Sequence, residues 1–164
     1  MEFVHPTGVA DLVMRLSAAT VIGGLIGVDR EARGKPAGLR THALVSLGAA
    51  LVTIVTIRLT GEGIVDANAI SRAIQGIVAG VGFLGAGAIL KTNGTNTEMV
   101  QGLTTAATIW FVASLGIACG AGQWFAGLIA VGFALLILIV GGPIEGLVHR
   151  LFHKRRGRDS TTGP

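Results

Sequence analysis

Apolar residues come in five long runs, each divided from the next by a short polar break. A run of about 20 residues, rising about 1.5 Å per residue as a helix, covers the roughly 30 Å of a bilayer's hydrocarbon. The apolar positions cluster rather than alternate with polar ones. The pattern therefore predicts an all-α, polytopic membrane protein with five transmembrane helices. The spans run from about Gly8 to Val28, Thr41 to Leu59, Arg72 to Leu90, Gly102 to Cys119 and Gly122 to Val140.

The third run, RAIQGIVAGVGFLGAGAIL, carries glycine at 76, 80, 82, 85 and 87. In water each would cost a helix about 1 kcal/mol against alanine. In a membrane, glycines let helices approach closely, because burial no longer separates protein from lipid. At about 100° per residue, Gly76, Gly80 and Gly87 share one face, with Gly82 and Gly85 roughly opposite. Two small-residue faces predict neighbours on both sides, so this span is expected at the centre of the bundle. Gly23 and Gly27 form a GxxxG pair for packing in span one.

The polar breaks have distinct characters. Asp29 to His42, DREARGKPAGLRTH, is a tight basic loop broken by Pro36 and Gly38. Thr60 to Ser71 is a short connection, and Lys91 to Gln101 a loop rich in Asn, Thr and Gly. The link between spans four and five is short enough to make them an antiparallel hairpin, with Trp124 and Phe125 at an aromatic belt. Gly141, Gly142 and Pro143 are expected to end span five. Beyond them Ile144, Leu147, Val148, Leu151 and Phe152 recur at helical spacing among Arg150, Lys154, Arg155 and Arg156. This predicts a short basic amphipathic helix on an anionic membrane surface. The expected organisation is a five-helix membrane domain over 1–142, the surface helix over 143–157 and a disordered tail over 158–164. The N-terminus lacks the basic region of a cleaved signal, so span one is expected to be retained.

Charge placement adds an orientation. Lys and Arg number four in the first loop, one in the third and five in the tail, which predicts the N-terminus outside and the C-terminus in the cytoplasm. Spans one and three then run parallel, as do two and four. The sequence echoes this, with GLRTHA from Gly38 and GLTTAA from Gly102. Arg15 and Gly23 also share the spacing of Arg72 and Gly80. A parallel two-helix repeat is expected, related by an axis along the membrane normal.

Candidate chemistry is sparse. Asp11, Arg15, Arg72 and Gln75 are expected to form an outer polar cluster, and Glu31, Arg40, Thr41 and His42 an inner one. Glu31 is positioned to accept a bidentate pair from Arg40. Asp11 is the one carboxylate within the spans and a weak metal candidate, since Mg²⁺ favours several waters and one or two carboxylates. The hydroxyls of Thr41, Thr53, Thr104, Thr105 and Thr108 are candidates to line a hydrated path. His149 and His153 are four apart without a third ligand nearby. Cys119 is the single cysteine, so no internal disulfide forms. GxGxxGxG at Gly80 to Gly87 lies within an apolar span, not at a strand–helix turn, and is no dinucleotide fingerprint. No catalysis and no resident cofactor are expected, nor a nucleic-acid partner, because the basic residues lie at membrane edges. Five short helices hardly enclose a pore alone, so passage would need a homo-oligomer, a dimer first.

DREARGKPAGLRTHALVSLGAAL (29–51), GIVAGVGFLGAGAIL (76–90) and QGLTTAATIWFVASLGIACGAG (101–122) together resemble the MgtC/SapB family of bacterial membrane proteins. Asp11, Arg15, Arg72 and Gln75 also fall where that family has polar residues. The resemblance implies a bacterial inner-membrane protein tied to magnesium limitation. The family is often labelled a magnesium transporter, and regulation of another membrane protein is the rival role. Longer members carry an ACT-like domain after span five; the resemblance here is to the membrane core alone.

Overall fold

The structure is a computed structural model that describes residues 8–59, 66–90 and 102–159, with side chains for all of these but Leu90, Glu145 and 147–159. It contains α1 (Val9–Ala32), α2 (Leu39–Leu59), α3 (Ala67–Leu90), α4 (Leu103–Gly120) and α5 (Trp124–Asp159), and no strand among the described residues. All five are long and apolar enough to cross a membrane. The chain divides into two units, Met1–Val131 and Gly132–Pro164.

In the first unit, α2 and α4 form the centre. α2 buries His42, Ser46, Ala49, Ala50, Thr53, Ile54 and Ile57, positions that recur at three and four residues and so share one face. This face runs parallel to α4, where Gly116 meets the Ser46 carbonyl and Gly120 the Ala50 carbonyl. A Cβ at Gly120 would lie 2.6 Å from that oxygen, so only glycine lets the two backbones touch. α1 packs antiparallel across both. Gly23 sits against Ser46 and Gly27 against Leu39, where added Cβ atoms would each approach to 2.6 Å.

α3 is placed differently from the expectation. It packs on α4 and α2, but at the edge rather than the centre. At Gly76, Gly80, Gly82 and Gly87 an added methyl group would meet nothing within 4 Å, and Gly85 alone meets Ala106, at 3.4 Å. Glycine content shows that a helix can be approached closely; it does not show which helix is. The tight seam uses Gly116, Gly120, Ala49 and Ala50, whose stretches look less unusual in sequence. The helix contacts do follow a two-fold exchange of α1 with α3 and α2 with α4: each outer helix touches both inner ones, which touch each other.

Both reversals at the ends of α1 and α4 close with the same device. Lys35 N–H donates to Arg30 O and Gly34 N–H to Glu31 O, each at 3.0 Å, with Gly34 at φ +61°. At the end of α4, Gln123 N–H donates to Ala118 O at 2.8 Å and Gly122 N–H to Cys119 O at 3.0 Å, with Gly122 at φ +82°. These are Schellman closures, and the left-handed residue suits glycine. Trp124 and Phe125, at the start of α5, meet edge to face with ring centroids 6.0 Å apart.

The second unit, within its described residues, is the continuation of α5. Helix persists through Gly141, Gly142 and Pro143, so the expected stop there is not found. Proline removes one backbone donor, and such a loss is tolerated in membrane-type helices that satisfy the freed groups locally. The amphipathic stripe and the pair His149 and His153 concern side chains outside those described. Residues 1–7, 60–65, 91–101 and the tail from 160 also lie outside the described residues.

Candidate functional site

The polar groups gather at the two ends of the α1–α2–α4 seam. At one end, Arg15 is 1% exposed. Its Nε donates to Asp11 Oδ2 and its Nη1 to Gly120 O, each at 2.9 Å. Asp11 thus neutralises the guanidinium, while Gly120 offers one of the carbonyls left open at the end of α4, where positive charge is favoured. The guanidinium also lies against Gly122, where a Cβ would come 3.0 Å from Nη1. Of the four residues expected in the outer cluster, the structure brings two together. Asp11 and Arg15 are joined, whereas Arg72 and Gln75 are exposed on α3, and Gln75 Nε2 reaches only Ser71 Oγ at 3.4 Å. The spacing shared by Arg15 and Arg72 does not bring them together, because α1 and α3 do not touch each other. With its carboxylate bonded to Arg15, Asp11 is a poor metal ligand, and no group of three or more potential ligands occurs among the described residues.

At the other end, His42 is fully buried. Its Nδ1 donates to Gly38 O at 2.9 Å, and its Nε2 lies 3.0 Å from Thr108 Oγ1. Thr108 Oγ1 is also 2.9 Å from Thr105 O. One hydroxyl proton cannot serve both acceptors. With a neutral ring, Thr108 donates to Nε2; with a doubly protonated ring, Nε2 donates to Thr108 and Thr108 to Thr105 O. The Thr108 hydroxyl therefore turns with the charge state of His42. Next to this pair, Arg30 is 4% exposed, and its Nη2 donates to Thr105 Oγ1 at 2.9 Å. Arg30 Nε, Asp29 Oδ2 and Ser46 Oγ are buried without a hydrogen-bond partner.

The other expected inner residues do not join this cluster. Glu31 Oε2 accepts from Leu39 N–H at 3.0 Å, capping the start of α2, and Arg40 and Thr41 are exposed. The bidentate Glu31–Arg40 pair is replaced by this cap because the turn at Gly38 brings the Leu39 amide, not the Arg40 side chain, to Glu31. At Gly38 an added Cβ would sit 2.8 Å from Glu31 Oε2, so a larger residue there would displace the capping carboxylate. Of the five threonines named from sequence, Thr105 and Thr108 enter the cluster. Thr53 is buried but bonds Ala49 O within its own helix, and Thr41 and Thr104 are exposed. Arg30 was missed as a site residue because it counts equally well as a positive-inside anchor. Its register carried the signal: seven residues after Gly23, it falls within about 20° of the packed face of α1.

The family profile described as MgtC family matches residues 16–147. Among curated proteins, SrpB of Synechococcus elongatus is 49% identical over 132 residues, 77% of this chain and 72% of that protein. YhiD of Escherichia coli K12, named provisionally as a magnesium transporter, is 39% identical across 88% of this chain and 66% of its own length. MgtC of Brucella abortus is 41% identical across 79% of this chain and 50% of its own length. The chain thus spans between half and three-quarters of these relatives. No solved structure matches the chain significantly.

Proposed function

Because the chain belongs to the MgtC family, we propose that it is a bacterial membrane protein of magnesium homeostasis that acts by binding another membrane protein, not by conducting the ion. The observation that carries this reading is the α1–α2–α4 seam, closed by backbone contact and occupied at each end by a buried arginine. Mg²⁺ keeps several waters and seeks carboxylate oxygens in octahedral geometry. A divalent ion about 6 Å from a guanidinium meets roughly 5 kcal/mol of repulsion, even at an effective dielectric of about 20. The seam offers such an ion hydroxyls and cations. The name of YhiD supports the link to magnesium. The docking element is α3, whose Gly76, Gly80, Gly82 and Gly87 are open and whose Phe83, 82% exposed, projects beside them. Close approach through small residues is how helices associate where no hydrophobic drive separates them from lipid.

The test has two parts. Sealed proteoliposomes holding a magnesium-sensitive dye are expected to show no entry above protein-free vesicles. In native membranes, a photo-cross-linker at Gly80 is expected to capture a defined partner, and one at exposed Val52 on α2 is not. Magnesium entry that Asp11→Asn abolishes would overturn the reading and restore conduction. An adduct of the chain with itself would make the partner a second copy.

A further inference from the structure

The last turn of α1 holds two arginines and a carboxylate between them. Arg30 is 4% exposed and donates from Nη2 to Thr105 Oγ1 on α4, while its Nε is buried without a hydrogen-bond partner. Arg33 caps the helix with its side chain 40% exposed. Asp29 serves the two unequally: its Oδ1 accepts from Arg33 Nε at 2.9 Å, and its Oδ2 is buried with no hydrogen bond. Arg30 is drawn electrostatically to Asp29 and repelled by Arg33. The orphaned donor and the orphaned acceptor thus belong to neighbouring residues of opposite charge, an ion pair left open. Neither neighbour supplies another acid: Glu31 is engaged with the Leu39 N–H, and α4 carries no charged residue. An exposed pair at i, i+4 is worth little, and the desolvation of a carboxylate offsets much of what closing a buried pair gains. The two positions of Asp29 are therefore closely balanced, and a competitor for Arg33 is enough to move it. Arg33 stands one residue past a membrane span, at the level of lipid headgroups, and a guanidinium grips a phosphate through two parallel N–H bonds.

We propose that Asp29 is a counter-ion shared between the surface and the seam: an anionic lipid headgroup that engages Arg33 releases Asp29 to Arg30. The carboxylate then closes on Arg30 Nε, beside the bond from Arg30 to Thr105, so the charge of the surrounding bilayer is felt where α1 meets α4. The device uses no residue of α3 and stands whether or not α3 docks a partner.

The experiment follows the Arg30 Nε–H by NMR in the full chain, labelled with heavy-nitrogen arginine and held in nanodiscs of phosphatidylcholine with or without phosphatidylglycerol. Single arginine-to-lysine substitutions assign the signal. Adding phosphatidylglycerol is expected to move the proton downfield and to slow its exchange with water several-fold, as its hydrogen bond to the carboxylate forms. Arg33→Gln is expected to show the shifted, slow signal in both lipids, because nothing then holds Asp29 at the surface. Asp29→Asn is expected to show the unshifted, fast signal in both. Arg33 is exposed, so Arg33→Gln keeps the fold and tests the exchange even where Asp29→Asn does not fold. A signal that phosphatidylglycerol leaves unmoved, one that Arg33→Gln leaves unmoved in phosphatidylcholine, or a response to phosphatidylglycerol that survives Asp29→Asn overturns the proposal.

Discussion

Gly120→Ala puts one methyl group into the contact between α2 and α4. Its Cβ would stand 2.6 Å from Ala50 O and 2.9 Å from the Thr53 Cβ. Ordinary van der Waals contact begins at 3.4 Å, so the two helices must part by 0.8 Å at that point. A gap of about 0.5–1 Å forfeits a quarter to a half of the dispersion attraction between facing atoms. Overpacking of this kind costs about 1–3 kcal/mol, against up to about 1 kcal/mol returned by alanine's helix propensity. The displaced Gly120 carbonyl also weakens its bond to Arg15. The net expectation is a loss of about 1–3 kcal/mol, read as a fall of about 2–10 °C in the unfolding midpoint. Gly80→Ala is the matched control, because nothing lies within 4 Å of its added methyl. It is expected to be neutral or to gain up to about 1 kcal/mol. The assay is thermal unfolding of monomeric protein in detergent, followed by circular dichroism. Equal destabilisation by both substitutions, or an unmoved midpoint in Gly120→Ala, would refute the placement of α4 at the centre and α3 at the edge.

Other substitutions probe the polar ends. Asp11→Asn removes the countercharge of a buried arginine and is expected to cost about 1.5–3 kcal/mol in the same assay, the range for a hydrogen bond to a charged group. Thr108→Val leaves His42 Nε2 facing a methyl group, an expected loss of about 1–3 kcal/mol for an unsatisfied buried group. Thr108→Ser, which restores the hydroxyl, recovers most of that loss. Arg40→Lys is expected to stay within about 0.5 kcal/mol of the original, because Arg40 is exposed and Glu31 caps Leu39 instead. A larger effect there would reinstate the bidentate pair.

What the sequence revealed, and what it hid, follows from the range of each signal. Five apolar runs mark five helices because backbone satisfaction in lipid leaves few alternatives. The Asp11–Arg15 pair is legible because it lies within one helix at a spacing of four. The repeat in GLRTHA and GLTTAA foreshadows the parallel α2–α4 pair. Three-dimensional neighbours were harder. His42 and Thr108 lie 66 positions apart, Arg30 and Thr105 75. No local spacing announces such pairs, and a basic residue at a span's end reads equally as an anchor. Glycine density misled for a related reason. It reports permission for close approach, and Gly76, Gly80, Gly82 and Gly87 of α3 hold that permission unused among the described residues while Gly116 and Gly120 use theirs. Pro143 shows the converse, a breaker by rule that the helix absorbs.

That both buried arginines find partners on α4 has a consequence for how the protein is made. Arg30 precedes Thr105 by 75 residues and Arg15 precedes Gly120 by 105. At synthesis rates of about 5–20 residues per second, each guanidinium waits roughly 4–20 s for the segment that completes its burial. Over that interval α1 and α2 can pair as a nascent hairpin, but their interior cations are still open to lipid or to the insertion machinery. The last event of core assembly is therefore the arrival of α4, threaded in after α3, and ribosome stalling before residue 105 would leave an intermediate with two unsheltered charges.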